Sequence, residues 1–181
     1  MFTVTWFANN IPLWQKKVVP ELPKNPNILE IGVYEGFCTR WMCENIPNCK
    51  IEVIDTFLGS MENNLRQDLF TAFNENLFEY KHIVNINKGE SYEHVRKFSK
   101  NYFDFIYVDG SHKAKDVLID AIQSFYCLKM NGIMVFDDYE WSPYNDENLH
   151  PKKGVNIFLD LFKDEIELIH KEYQVIIKRI K

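Results

Sequence analysis

The sequence predicts a doubly wound α/β domain: a mostly parallel sheet of seven strands that ends in an antiparallel hairpin. Three observations predict it. Apolar runs of four to six residues recur along the chain, as strands covered on both faces require. Longer stretches with helical spacing separate them, and these supply the crossovers that parallel strands need. The last two runs have no helical stretch between them, so they pair as a hairpin.

Taken in order, residues 6–18 carry Ile11, Trp14 and Val18 on one helical face. The following Val19-Pro20-Glu21-Leu22-Pro23-Lys24-Asn25-Pro26 reads as an extended lead-in, because its prolines lack the donors of a helix interior or a central strand. Strands are expected at 28–32, 51–55, 82–86, 103–109 and 132–137, and helices at 37–45, 63–78, 92–98 and 116–128. The hairpin takes 166–169 and 174–177. In such a sheet ligands bind at the carboxyl ends of the strands.

The 181 residues suit one domain, 1–181, in which 1–26 form the amino-terminal helix and lead-in. Apolar residues at 46% and charged residues at 26% are globular values, which argues against disorder. A net charge of −5 gives no basic face for a nucleic-acid backbone. Lys152-Lys153 and Lys178-Arg179 read as solvated surface. Cys38, Cys43, Cys49 and Cys127 form no CxxC pair and read as reduced thiols. The first ten residues lack a signal-peptide pattern, and no apolar run nears the roughly 20 residues of a membrane span. The expectation is a soluble cytoplasmic protein, with a homodimer left open.

Polar residues gather where the strands end. Glu30 and Gly32 follow the first strand, Asp55 the second, and Gly89 and Glu90 the third. Asp109 and His112 follow the fourth, and Asp137 and Asp138 the fifth. The turn Glu30-Ile31-Gly32-Val33-Tyr34-Glu35-Gly36 has glycines where a backbone bends tightly or a ligand approaches. Tyr34 replaces the second glycine of a dinucleotide fingerprint, so a pyrophosphate fits it poorly, and a simple strand–helix turn is the other reading. Asp55 can accept hydrogen bonds from ribose hydroxyls, or can cap a turn.

Asp109, Asp137 and Asp138 in one cleft would repel one another unless a cation neutralised them, and oxygen ligands select a hard ion such as Mg²⁺. Side chains alternate along a strand, so Asp137 and Asp138 share an ion only where the chain leaves the pleat. One of the pair capping the next turn is the alternative. His112 could serve as general base or be structural.

The segments Ile28–Gly36, Ile54-Asp55-Thr56-Phe57, Gly89-Glu90-Ser91, Tyr107–His112 with Asp116 and Asp120, and Val135–Tyr139 resemble the class I S-adenosylmethionine-dependent methyltransferases. The likeness spans nearly the whole chain and is greatest to the branch with macrolide sugar O-methyltransferases and cephalosporin-hydroxylase-like proteins. It implies the Rossmann-like methyltransferase fold. It further implies that Glu30, Gly32, Tyr34 and Gly36 cradle the methionine end of S-adenosyl-L-methionine and that Asp55 and Thr56 meet the ribose. Gly89, Glu90 and Ser91 would lie near the adenine, Asp109, Asp137 and Asp138 would hold a divalent cation such as Mg²⁺, and His112 beside Asp109 would be the base.

The implied reaction is O-methylation of a small-molecule or glycan hydroxyl, with Tyr139 and Trp141 as faces for a sugar ring or as packing residues. Only about 26 residues precede the first strand, fewer than relatives use to shape substrate pockets. Three rival readings remain. A nicotinamide-dependent oxidoreductase is disfavoured by Tyr34 and the terminal hairpin. A metal-dependent hydroxylase-like enzyme on the same fold is compatible with it. A non-catalytic binding scaffold would have lost the acidic cluster.

Overall fold

A computed structural model describes residues 2–59, 68–142 and 144–181. Its seven strands are β1 (Asn27–Ile31), β2 (Lys50–Asp55), β3 (Val84–Lys88), β4 (Phe103–Val108), β5 (Leu128–Phe136), β6 (Ile166–Lys171) and β7 (Val175–Arg179). They form one sheet in the order β3-β2-β1-β4-β5-β7-β6. The first five strands are mutually parallel, and β7 enters antiparallel between β5 and β6. The helices are α1 (Ile11–Lys17), α2 (Phe37–Asn45), α3 (Leu69–Asn76), α4 (Ser91–Val95), α5 (Ala114–Phe125) and α6 (Pro151–Leu161). Among the described residues no helix is long and apolar enough to cross a membrane.

The period-two alternation of strand side chains builds two cores, one on each face. Ile28, Phe105, Tyr107, Ile133 and Val135 pack with Trp14, Trp41, Met42 and Phe73 of α1–α3. Their strand neighbours Leu29, Ile106, Val108, Met134 and Phe136 pack with Val95, Val117, Phe125 and Phe158 of α4–α6. Strands apolar on both faces are therefore sandwiched between helical layers.

Several boundaries depart from the sequence expectation. Residues 6–18 divide into a 3₁₀ turn, Trp6–Asn10, and α1. The lead-in contains a 3₁₀ turn at Val19–Glu21, because Pro20 falls in its first turn, where no amide donor is needed. β3 starts two residues later than expected; as an edge strand it buries little, so apolar residues do not mark its ends. Of the helix expected at 63–78, residues 63–67 lie outside those described, and α3 ends at Asn76 before a 3₁₀ turn at Phe78–Tyr80. α5 ends at Phe125 because Leu128 already pairs with Phe103 in β5. The four cysteines are unpaired.

α6 was not anticipated. Gly154 in its middle interrupts the apolar spacing, yet Val155 and Phe158 are fully buried. Gly154 is there for contact: a Cβ at this position would stand 2.2 Å from the carbonyl oxygen of Ala114 at the start of α5. Alanine improves an isolated helix by about 1 kcal/mol over glycine, but forcing α5 and α6 apart costs roughly 1–3 kcal/mol. Gly154→Ala is therefore expected to lower the urea midpoint, and an unchanged or raised midpoint would contradict the packing.

Candidate functional site

The glycine turn after β1 is fixed by its neighbours on both sides. Gly32 has φ of 85°, and its amide donates to the Ile54 carbonyl at 2.9 Å. A Cβ on Gly32 would stand 2.0 Å from the Asp109 carbonyl oxygen, so only glycine lets the β1 turn lie against the end of β4. Tyr34 (φ 50°) and Gly36 (φ 83°) complete the left-handed bends, Gly36 as the N-cap of α2. One Asp55 carboxylate oxygen accepts from the amides of Val33 at 2.7 Å and Tyr34 at 3.0 Å. The other accepts from the Phe57 amide at 2.6 Å. Asp55 thus clamps the turn while lining the cavity.

Glu30 is buried and accepts from the Thr39 hydroxyl at 2.6 Å. Burial, more than the partly offsetting Thr39 hydrogen bond, raises its carboxyl from the ordinary 4.5 to about 8. Gly89 (φ 145°) donates its amide to the Asp55 carbonyl, Thr56 accepts from the Leu58 amide, and Glu90 is the exposed N-cap residue of α4. The Ser91 hydroxyl donates to buried Asp120, and Ser111 donates to Asp116 at 2.8 Å.

The acidic end departs from the expected ligand set. Donor atoms of Asp109, His112 and Asp138 all lie within 4.8 Å of one another. His112 Nε2 stands 3.1 Å from Asp138, and its ring meets the Trp141 ring edge-on at 4.4 Å. Asp137 is not in this group. Its carboxylate accepts from the Tyr107 hydroxyl, from Asn10 at 3.4 Å and from the Asp138 amide at 2.8 Å. The alternation of the strand separates the two aspartates, and Asp138 takes φ of 56°, which presents its side chain to His112. Burial, then the charges of Asp137, Asp138 and Glu30, holds the Asp109 carboxyl well above the usual range. Burial and Asp138 raise Asp137 to about 6.

Sequence reasoning missed Tyr107, Gln174 and Asn10. Trp14 donates to Gln174 at 2.8 Å, Gln174 to Tyr107 at 3.4 Å, and Tyr107 to Asp137. Tyr107 stands two residues before Asp109 at the end of β4, a spacing that offered the one available signal. Nothing local marked the others.

Glu30, Gly32, Asp55, Gly89, Asp109, His112, Asp137 and Asp138 line one cavity of about 1140 Å³, whereas Tyr107 and Trp14 do not. The amino-terminal residues form part of its wall through Val4, Trp6, Phe7, Asn10 and Leu13. Thr3 anchors them, its amide and hydroxyl donating to buried Glu35. The segment before β1 therefore shapes part of the pocket. Of the two readings of Tyr139, the structure has the packing one: it is buried, bonded to Asn156 at 2.9 Å and packed by Lys152 and Lys171. Trp141 remains on the cavity wall.

Residues 29–139 match the profile of a family described as a methyltransferase domain. The chain belongs to that family. A relative, an uncharacterized protein of Acanthamoeba polyphaga mimivirus, is 28% identical over 119 residues, 64% of this chain and 53% of that one. The chain thus spans about half the length of this relative. Among solved structures, a proposed rRNA methylase of Clostridium thermocellum superposes with a TM-score of 0.69 at 10% identity, covering 100% of this chain and 99% of that chain. An O-methyltransferase of Bacillus cereus in complex with S-adenosylhomocysteine gives 0.66 at 17% identity, covering 98% and 82%. The MycE methyltransferase of the mycinamycin biosynthetic pathway, in complex with Mg and S-adenosylhomocysteine, gives 0.68 at 16%, covering 100% and 51%. The sheet of this methyltransferase domain is thus the mixed, mostly parallel one expected.

Glu30 yields a pH prediction. Its folded-state pKa is raised, so the folded chain holds this proton more tightly than the unfolded chain. The stability it confers is complete below about 4.5 and is lost as pH rises through about 8. Glu30→Gln keeps an acceptor for Thr39 and cannot ionise. The melting temperature of the variant should fall less than that of the parent between these limits; parallel curves would show that Glu30 is not held neutral.

Proposed function

We propose that this chain is an S-adenosylmethionine-dependent O-methyltransferase, assisted by a divalent cation such as Mg²⁺, acting on a hydroxyl of a sugar, glycan or other small molecule. The observation that carries the reading is the Asp109–His112–Asp138 group standing against the glycine turn in one cavity. The residues suit both partners. Gly32, Asp55 and Gly89 line one stretch of the cavity, where a nucleoside with an amino-acid tail could lie. Crowded carboxylates beside an imidazole suit a cation, which would relieve their mutual repulsion.

S-adenosylmethionine, when bound, would supply a methyl group on a sulfonium. A divalent cation would lower the pKa of an acceptor hydroxyl and fix its position. The protein's own work is orientation and proton handling. The Asp55 clamp and Gly32 hold the turn, and Glu30, neutral near pH 7, adds no charge beside it. His112 takes the hydroxyl proton, and Asp138 at 3.1 Å stabilises the imidazolium. Trp141 fixes the ring edge-on and offers the acceptor an apolar face. A second reading, favoured by the grouping of the three donor atoms, makes His112 a cation ligand.

Calorimetry should detect binding of S-adenosylhomocysteine and none of NADH; the reverse would defeat the proposal. Turnover of a hydroxyl acceptor should vanish after chelation and return with Mg²⁺, whereas full activity in chelator would remove the cation from the account. His112→Ala should slow turnover by roughly 10²–10⁴-fold with unchanged cofactor affinity. Unchanged Mn²⁺ affinity in this variant supports the base role, and weakened affinity supports ligation.

A further inference from the structure

The turn between β6 and β7 reaches both aspartates at the end of β5, yet neither of the side chains it sends there takes part in the proposed reaction. Tyr173 and Gln174 are adjacent in this turn, and both line the cavity. Gln174, buried, serves the Asp137 side by donating to Tyr107, which donates to Asp137. Tyr173, 45% exposed, takes the other side: its hydroxyl donates to Asp138 Oδ1 at 2.7 Å. Asp138 Oδ2 is the oxygen that stands 3.1 Å from His112 Nε2. The two oxygens of one carboxylate are thus divided, one to the hairpin and one to the imidazole. The backbone keeps the tyrosine in place, since its carbonyl accepts from the Tyr139 amide at 2.9 Å. A carboxylate turns broadly about its last torsion, which joins sp³ to sp² carbon, and a donor on one oxygen fixes its plane.

We infer that Tyr173 is a positioning residue, whose hydroxyl holds the Asp138 carboxylate with Oδ2 presented to His112 and to a divalent cation. The inference rests on the reading of the Asp109–His112–Asp138 group as a cation site. Carboxylates that bind metals are themselves hydrogen-bonded, and loss of such an outer partner weakens metal binding by about 10–100-fold. A phenol suits this task better than an ammonium, because it brings a donor and no positive charge to compete with the cation. The Tyr173 ring is half in solvent, so its hydroxyl can be removed without emptying any part of the core.

The test titrates Mn²⁺ into the parent and into Tyr173→Phe, with free Mn²⁺ read by electron paramagnetic resonance. The variant keeps the ring and the backbone bond to Tyr139 and loses the hydroxyl alone. Its Mn²⁺ dissociation constant should rise by about 10- to 100-fold while its melting temperature stays at the parent value. A role confined to the fold would move the melting temperature and the Mn²⁺ affinity together, and that result would overturn the assignment. Equal Mn²⁺ affinity in parent and variant would also overturn it, while leaving the cation reading intact. A parent that binds no Mn²⁺ contradicts the cation reading itself, and the role of Tyr173 with it.

Discussion

The backbone of Gly32 lies against the backbone of Asp109, with no room for a single methyl group between them. Parallel pairing of β1 and β4 brings the strands to this point, and the Asp109 amide completes the approach by donating to Ile31 at 2.8 Å. The glycine turn and the acidic cluster are in consequence two parts of one rigid junction. A ligand seated on the turn lies within reach of Asp109, and a shift of either strand would displace both. Asp55 reinforces the junction from β2 by holding the Val33 and Tyr34 amides.

Around this junction charge is held out of water, and the arrangement of partners follows from that. Glu30, Asp109, Asp120 and Asp137 all hold their protons more firmly than exposed carboxyls, with burial as the largest cause in each. Asp137 is the best supplied with donors, through Tyr107, Asn10 and the Asp138 amide. Its partners come from β4, the amino-terminal segment and its own strand end, and Gln174 and Trp14 extend the chain to the hairpin and α1. Asp137 thereby ties the amino-terminal wall of the cavity to the residue beside it, Asp138, which faces His112.

The parallel sheet was legible because its strands are apolar on both faces, and Ile28–Ile31 and Phe103–Val108 divide between the two cores by simple alternation. The hairpin was legible from the short gap between its apolar runs. α6 was not, because Gly154 serves a contact with Ala114 that exists only after α5 and α6 meet. The ends of β3 were not, because an edge strand needs little apolar surface. In the site, the strand-end residues were legible by position, whereas their pairing was not. That His112 faces Asp138 while Asp137 faces Tyr107 depends on the left-handed bend at Asp138, which local sequence does not announce. Asn10 and Gln174 reach the site from 127 residues before Asp137 and 67 residues after Tyr107, separations that no local pattern bridges.

The central claim is that the glycine turn and the Asp109–His112–Asp138 group serve one reaction in one cavity. A crystal structure with S-adenosylhomocysteine and Mn²⁺, phased to give an anomalous difference map, tests it most directly. The account predicts nucleoside density beside Asp55 and Gly89, the amino-acid tail on the Gly32–Gly36 turn, and a manganese peak touching Asp109 and Asp138. Ligand density elsewhere on the molecule, or a manganese peak remote from this group, would contradict it.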